Sequence, residues 1–290
     1  MNIIAKKNLW FAISITLILI SVAAFLFNSL TKGKIMNFGI DFTGGTLLTV
    51  RFDKEVATHE IRDTLAKYGL TQSVIQKTGK DDFSIRTDPL ETDVRQKIMN
   101  DLREKFGQVE LLEADVIGPV IGKELRTQAL WALLVASVLI TIYVSFRFEF
   151  KYAVAALIAL YHDAFITAGI IALLWRTVDA PFVAAILTIM GYSINDTIVI
   201  FDRIRENIKK PGAVKKHFAT IVNESINQTM ARSINTVLTT LVMVTALLLF
   251  GGATIKDFAL VLFVGFLAGA YSSIFVASPL LVLWHRGKNR

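Results

Sequence analysis

The sequence predicts a polytopic α-helical membrane protein: six transmembrane helices, with one α+β ferredoxin-like periplasmic domain between helices 1 and 2. Four observations carry this. The chain has six apolar runs of roughly twenty residues, enough for a helix rising about 1.5 Å per residue to cross about 30 Å of hydrocarbon. Its 290 residues are 53% hydrophobic and only 19% charged, below the charged fraction of a soluble domain. Lys and Arg also cluster on alternate connections, and the single long connection alternates strand-like and helix-like patterns.

The first unit, 1–29, is a short cytoplasmic N-terminus followed by a span over 9–29. Ser21-Val22-Ala23 loosely fits a signal-cleavage pattern, but Phe25, Leu26 and Phe27 carry the apolar stretch past it, so the run reads as an anchor. The second unit, 30–126, is the periplasmic domain. A strand is expected at 45–52 and a helix at 58–68 stopped by Gly69. Strands at 73–76 and 83–87 follow, joined by a turn at 79–82. A helix at 92–106 ended by Gly107 and a strand at 109–117 complete the set. That β-α-β-β-α-β order is the ferredoxin-like split motif. The third unit, 127–290, holds spans at 128–146, 152–175, 181–201, 230–250 and 258–284, with cytoplasmic loops and tail.

The charge distribution orients the chain. Lys6, Lys7, Arg147 and Lys151, the basic cluster Arg203, Arg205, Lys209, Lys210, Lys215, Lys216 and Arg232, and the tail Arg286, Lys288 and Arg290 share one side. Only Arg176 and Lys256 occupy the two short loops opposite. By the positive-inside rule both termini are cytoplasmic. Trp10, Trp131, Trp175 and Trp284 sit near span ends, where indole favours the headgroup zone. The net charge of +7 thus has a topological origin: segment 30–126 carries −1, so nucleic-acid binding is not expected. Without cysteine there are no disulfides or thiolate metal sites, and neither a cofactor nor a metal is expected.

Polar residues inside the spans are the candidate site, because charge in a bilayer is costly and usually functional. Thr188, Tyr192 and Asp196 share a face of the fourth span, flanked by Ser193 and Asn195. Arg232, Asn235, Thr236, Thr239 and Thr240 form a stripe on the fifth. Asp196 and Arg232 come to similar depth on antiparallel spans. A carboxylate poised between desolvation and a nearby guanidinium can load and release a proton; the pair would equally serve as a helix-packing ion pair, or the Arg would snorkel.

His162 and Asp163 in the third span make a poor metal site, since adjacent residues on a helix do not face the same way. They are a second relay group or a satisfied polar pair. Gly265 and Gly269 form a GxxxG packing motif, with Ser273 one turn on. Asp41, Gly44 and Gly45, then Gly118, Pro119 and Gly122, bracket the domain and read as tight junction turns. The spacing at 118–124 is wrong for a phosphate loop. No nucleophile–base set is evident, so the chain is not expected to be an enzyme.

DFTGGT at 41–46, GPVIGKEL at 118–125, FRFEFK at 146–151, YHD at 161–163, GYSINDTIVIFDRIREN at 191–207 and NQTMARSINT at 227–236 resemble the SecD/SecF family of protein-export membrane proteins, within the resistance–nodulation–division superfamily. The likeness runs end to end and is greatest to its SecF branch. It implies a multi-pass protein of the cell inner membrane that pairs with SecD in a pseudo-symmetric twelve-span unit. That unit would use the proton-motive force to complete export of preproteins through SecYEG, with YajC and YidC as further candidate partners. It also implies that Asp196 is the family's membrane aspartate and Arg232 its functional arginine; Asp163, Tyr192, Asn195 and Asn235 are supporting polar candidates read from the spans themselves. A small-molecule proton antiporter of the same superfamily is the alternative, and a scaffold with packing charges the third reading. The coupling ion, proton or sodium, is left open.

Overall fold

A computed structural model describes residues 2–212 and 216–287. Lys215, Lys288 and Arg290, counted above on the cytoplasmic side, lie outside the described residues, and the side chain of Arg286 likewise.

Among the described residues, six helical stretches are long and apolar enough to cross a membrane; in lipid a backbone must satisfy its own hydrogen bonds, as a helix does. They are α1 (Lys7–Lys32), α5 (Pro119–Arg147), α6 (Phe150–Leu173), α7 (Ala180–Ile208), α8 (Phe218–Phe250) and α9 (Ala253–Ser272), the last continued by one π turn (Ser273–Ala277) into α10 (Ser278–Gly287). Most exceed the apolar runs, because capping and packing carry the helix past the last lipid-facing residue. Gly33, at φ 68°, stops α1. The side chain of Asp179 accepts the Phe182 N–H and caps α7, and Pro181 lies in the first turn.

The bundle has a centre and a periphery. In α6, α7 and α9 more than half of the apolar window is buried; in α1, α5 and α8 it is 17%, 6% and 11%. The peripheral helices therefore present most of their surface to lipid or to another chain. Close approach in the centre depends on the predicted GxxxG: a Cβ at Gly265 would stand 2.1 Å from Ile189 Cδ1, and one at Gly269 3.1 Å from Ser193 Cβ, so these glycines seat α9 on α7.

Outside the bundle, β2 (Gly45–Phe52), β3 (Val74–Lys77), β4 (Asp82–Thr87) and β5 (Val109–Ile117) form an antiparallel sheet in the order β3-β4-β2-β5, with α3 (Thr58–Ala66) and α4 (Thr92–Phe106) packed on it. Period-two alternation puts Leu48, Val50, Phe52, Phe83 and Ile85 into one core with Ile61, Leu65, Ile98 and Leu102. The other face is polar. Thr49, Ser84, Arg86, Glu113 and Asp115 line a cleft of about 200 Å³ that faces Asp41, Asp179 and Asp257 at the outer ends of the bundle.

Several expectations need correction. The first domain helix ends at Ala66 and the second strand begins at Val74, one residue late. GPVIGKEL is not a turn: Gly118 caps and Pro119 starts α5, so the helix begins inside the stretch assigned to the domain. DFTGG forms the short helix α2 (Ile40–Thr43) before β2. An unforeseen two-residue parallel ladder joins β1 (Asn37–Phe38) to β6 (Thr177–Val178), which follows α6.

Candidate functional site

Among the described residues, two carboxylates lie inside the bundle, each held by hydroxyls. Asp196, on α7 and 8% exposed, accepts a hydrogen bond from Ser233 Oγ of α8 at 2.7 Å on Oδ1, and one from Ser273 Oγ at the π turn on Oδ2. One acid thus ties α7 to α8 and to the end of α9. Asp163, on α6 and fully buried, accepts from Ser193 Oγ at 2.6 Å and Ser272 Oγ at 2.7 Å, both on Oδ2. Its Oδ1 lies 3.0 Å from His162 Nδ1. The two side chains leave the helix in different directions, yet the carboxylate bends back to the neighbouring ring, and they meet as a buried polar pair.

The local sequence explains this arrangement. Thr167 donates to the backbone carbonyl of Asp163 at 2.7 Å, a common resting place for a hydroxyl in an apolar helix. The π turn at 273–277 widens α9 where Ser272 and Ser273 need different targets. Ser278 Oγ donates to the Ser273 carbonyl, and Pro279 has no N–H to continue the α pattern there.

Arg232 departs from expectation. It is exposed and, among the described residues, no ion pair joins it to Asp196. Its neighbour Ser233 takes that place, because one residue is about 100° of helix rotation. Arg232 instead lines an open pocket of about 480 Å³ with Asp202, Arg203 and Glu206. Asn195 of α7 and Asn235 of α8 also point out of the chain, as do Thr188, Thr236 and Thr239. The Tyr192 ring packs on Phe266 at 4.5 Å between centroids and does not bond Asp196. The predicted polar face thus divides: Asp196 turns inward to serines, and most of the rest faces outward.

The junction motifs do meet. Gly44, at φ 74°, abuts Pro119, and a Cβ at Gly122 would stand 2.8 Å from Gly44 N. Gly45, at φ 128°, passes the Thr87 carbonyl too closely for any side chain. Asp41 accepts the Ala180 N–H at 2.8 Å, binding the start of the domain to the start of α7. Arg86 of β4 donates to the Phe38 carbonyl at 2.9 Å and to Asn37 Oδ1 at 2.8 Å, and Asn37 donates to the Trp175 carbonyl. Burial holds the Arg86 guanidinium below its usual range against the pull of Asp179 and Asp257. Burial also pushes Asp179 up to about 6, with the charges of Asp41 and Asp257 adding to it. The domain is therefore latched to the outer bundle through a compact polar joint.

The residues missed were serines: Ser233 and Ser272 altogether, and Ser273, noted only as one turn past the GxxxG, as a partner of Asp196. They carry no charge and do not stand out of an apolar run. Their only mark was pairing with glycine in the sixth span and adjacency to Arg232 in the fifth.

Residues 97–287 match the family model described as protein export membrane protein SecD/SecF, C-terminal, and residues 36–56 match the SecD/SecF GG motif, which contains Gly44 and Gly45. The chain is 44% identical over 293 aligned positions to the protein translocase subunit SecF of Sebaldella termitidis, covering 99% of this chain and 93% of that one. It is 42% identical to the protein translocase subunit SecDF of Thermus thermophilus, covering 95% of this chain but 37% of the relative. A crystal structure of Thermus SecDF, described as a translocon-associated membrane protein, superposes with a TM-score of 0.89 at 39% identity over the whole chain and 39% of the solved one.

Proposed function

The chain belongs to the SecD/SecF protein-export family, and from that premise we propose that it is a subunit of the Sec preprotein translocase that works beside a SecD-type chain and draws on the proton-motive force. The observation that carries the reading is Asp196: one buried carboxylate holds α7, α8 and the π turn together through two serine hydroxyls. An ionised carboxylate only accepts hydrogen bonds, whereas a protonated one must donate from one oxygen. Taking up a proton gives Asp196 a donor where it now only accepts; Ser233 or Ser273 can turn its hydroxyl to receive that proton, and the ties between the three elements are remade. Inward passage of one charge releases about 2.3 kcal/mol per 100 mV, which such a change can draw on.

Two further features support the reading. The polar groups Thr188, Asn195, Arg232, Asn235 and Thr236 face away from the chain at membrane depth. Such groups are costly in lipid and suit contact with a second bundle, and the Thermus relative carries SecD and SecF in one chain. In this reading Arg232 serves that contact. The strand order β3-β4-β2-β5 supports a ferredoxin-like domain, which we place in the periplasm with both termini in the cytoplasm and the spans in the inner membrane. The domain would meet preprotein leaving SecYEG, with YajC and YidC as accessory partners. The joint through α2, α5 and the β1–β6 ladder gives bundle motion a stiff route to the domain. The reading contains no enzymatic step.

Export into inverted membrane vesicles tests it. Asp196→Asn should abolish stimulation by proton-motive force while ATP-driven translocation and the level of protein in the membrane persist. Undiminished stimulation in that variant defeats the reading.

A further inference from the structure

Asp163 plays no part in the mechanism above, yet it is the more enclosed acid. It is wholly buried, two serine hydroxyls converge on Oδ2, and among the described residues no Lys or Arg bonds it. A carboxylate that stayed ionised in so enclosed a site would be expected to face a cation. Among the described residues, the titratable group that bonds it is His162 on its own helix; α7 offers Ser193 and α9 offers Ser272. His162 is itself 7% exposed, and its Nε2 is buried without a hydrogen-bond partner. Its ring stacks on Tyr271 at 6.1 Å, whose hydroxyl donates to the Trp10 carbonyl of α1 at 2.6 Å and accepts from Ser14 at 3.3 Å.

An imidazole with one nitrogen on a carboxylate and the other without a partner can pass a proton. A proton reaching Nε2 lets the Nδ1 proton move to Asp163 Oδ1, leaving a neutral ring and a neutral acid. The consequence reaches Asp196 through α9. Ser272 donates to Asp163 and Ser273 to Asp196, so adjacent residues at the mouth of a π turn address the acids of α6 and α7. π turns are uncommon and concentrate at functional positions.

We propose that His162 and Asp163 form a second proton-binding station, and that Ser272 and Ser273 couple its occupancy to that of Asp196. The proposal rests on the proton-coupling reading of Asp196 and adds a separate acid to it.

Acid-minus-base infrared difference spectra of the full chain, reconstituted in lipid vesicles with its SecD-type partner, read carboxyl protonation directly. The expected wild-type spectrum includes one buried carboxyl band from Asp163 and one from Asp196. Asp163→Asn should remove one and Asp196→Asn the other, Asp163→Glu should restore a band at a moved frequency, and Ser272→Ala should shift the Asp163 band. Retention of both bands in Asp163→Asn overturns the proposal. Should that variant fail to insert, Ser272→Ala and Asp163→Glu decide: two spectra identical to wild type overturn it. The vesicle export assay of Asp196→Asn scores the parent reading by itself, so the two can fail separately.

Discussion

Between the sheet and helices α3 and α4 the buried side chains are Leu48, Ile61, Leu65, Phe83, Ile98 and Leu102; between α6, α7 and α9 they include Asp163, Asp196, Ser193, Ser272 and Ser273. The difference follows from the two solvents. The domain is surrounded by water, so removing apolar area from it drives folding. The bundle is surrounded by hydrocarbon, which hosts Leu as well as a protein core does; what gains from burial there is close packing and polar contact. The periphery shows the same inversion, with Leu130, Leu139 and Phe146 widely exposed on α5.

Four substitutions sharpen or break this contrast. The largest effect belongs to the water-driven core. Phe83, 1% exposed and edge-on to Phe52 at 5.5 Å, should cost about 3–5 kcal/mol as Phe83→Ala, read as early proteolysis of the domain while the bundle stays intact. Simultaneous loss of both would show that the two regions do not fold by separate logic.

Next comes the polar joint between them. Asp179 has a native pKa raised to about 6. A raised acid pKa means that the folded state holds the proton more tightly than the unfolded chain. That contribution is complete below the ordinary aspartate value of about 4 and is lost as pH rises through about 6, on a scale of about 1.4 kcal/mol per pKa unit. The melting temperature of wild type should therefore fall across this window relative to Asp179→Asn, which keeps the cap on α7. Parallel curves would show that the joint is not strained by its charge.

Third is packing in the bundle. Gly265→Ala places a methyl against Ile189 and should cost about 1–3 kcal/mol in detergent melts, with α9 displaced from α7. The smallest effect is on the lipid face: Leu139→Ala, at a residue 60% exposed, should leave the melt nearly unchanged. A loss matching that of Phe83→Ala would mean that α5 is buried by another chain in the membrane assayed.

Much of this was legible beforehand. Apolar run length located every span, because the cost of an unsatisfied backbone in lipid is local and additive. The domain helix over 92–106 and the strand over 109–117 appear where periodicity and the following glycine put them. Asp196 was legible because a charge in an apolar run is conspicuous. Its partners were not. Arg232 looked right by depth and charge, yet Ser233 faces Asp196, since rotation about a helix axis leaves no trace in composition. The β1–β6 ladder was equally invisible, being two residues long and joining segments far apart in the chain.

Which stretches leave water, how many there are and which acids they carry along are written in the order of residues, because each depends on the transfer cost of a local segment. Which hydroxyl reaches which carboxylate depends on how α6, α7, α8 and α9 turn and slide against one another. Contacts such as Gly265 on Ile189 and the π turn after Ser272 set those rotations. Only the packed bundle therefore separates the inward acid from the outward arginine.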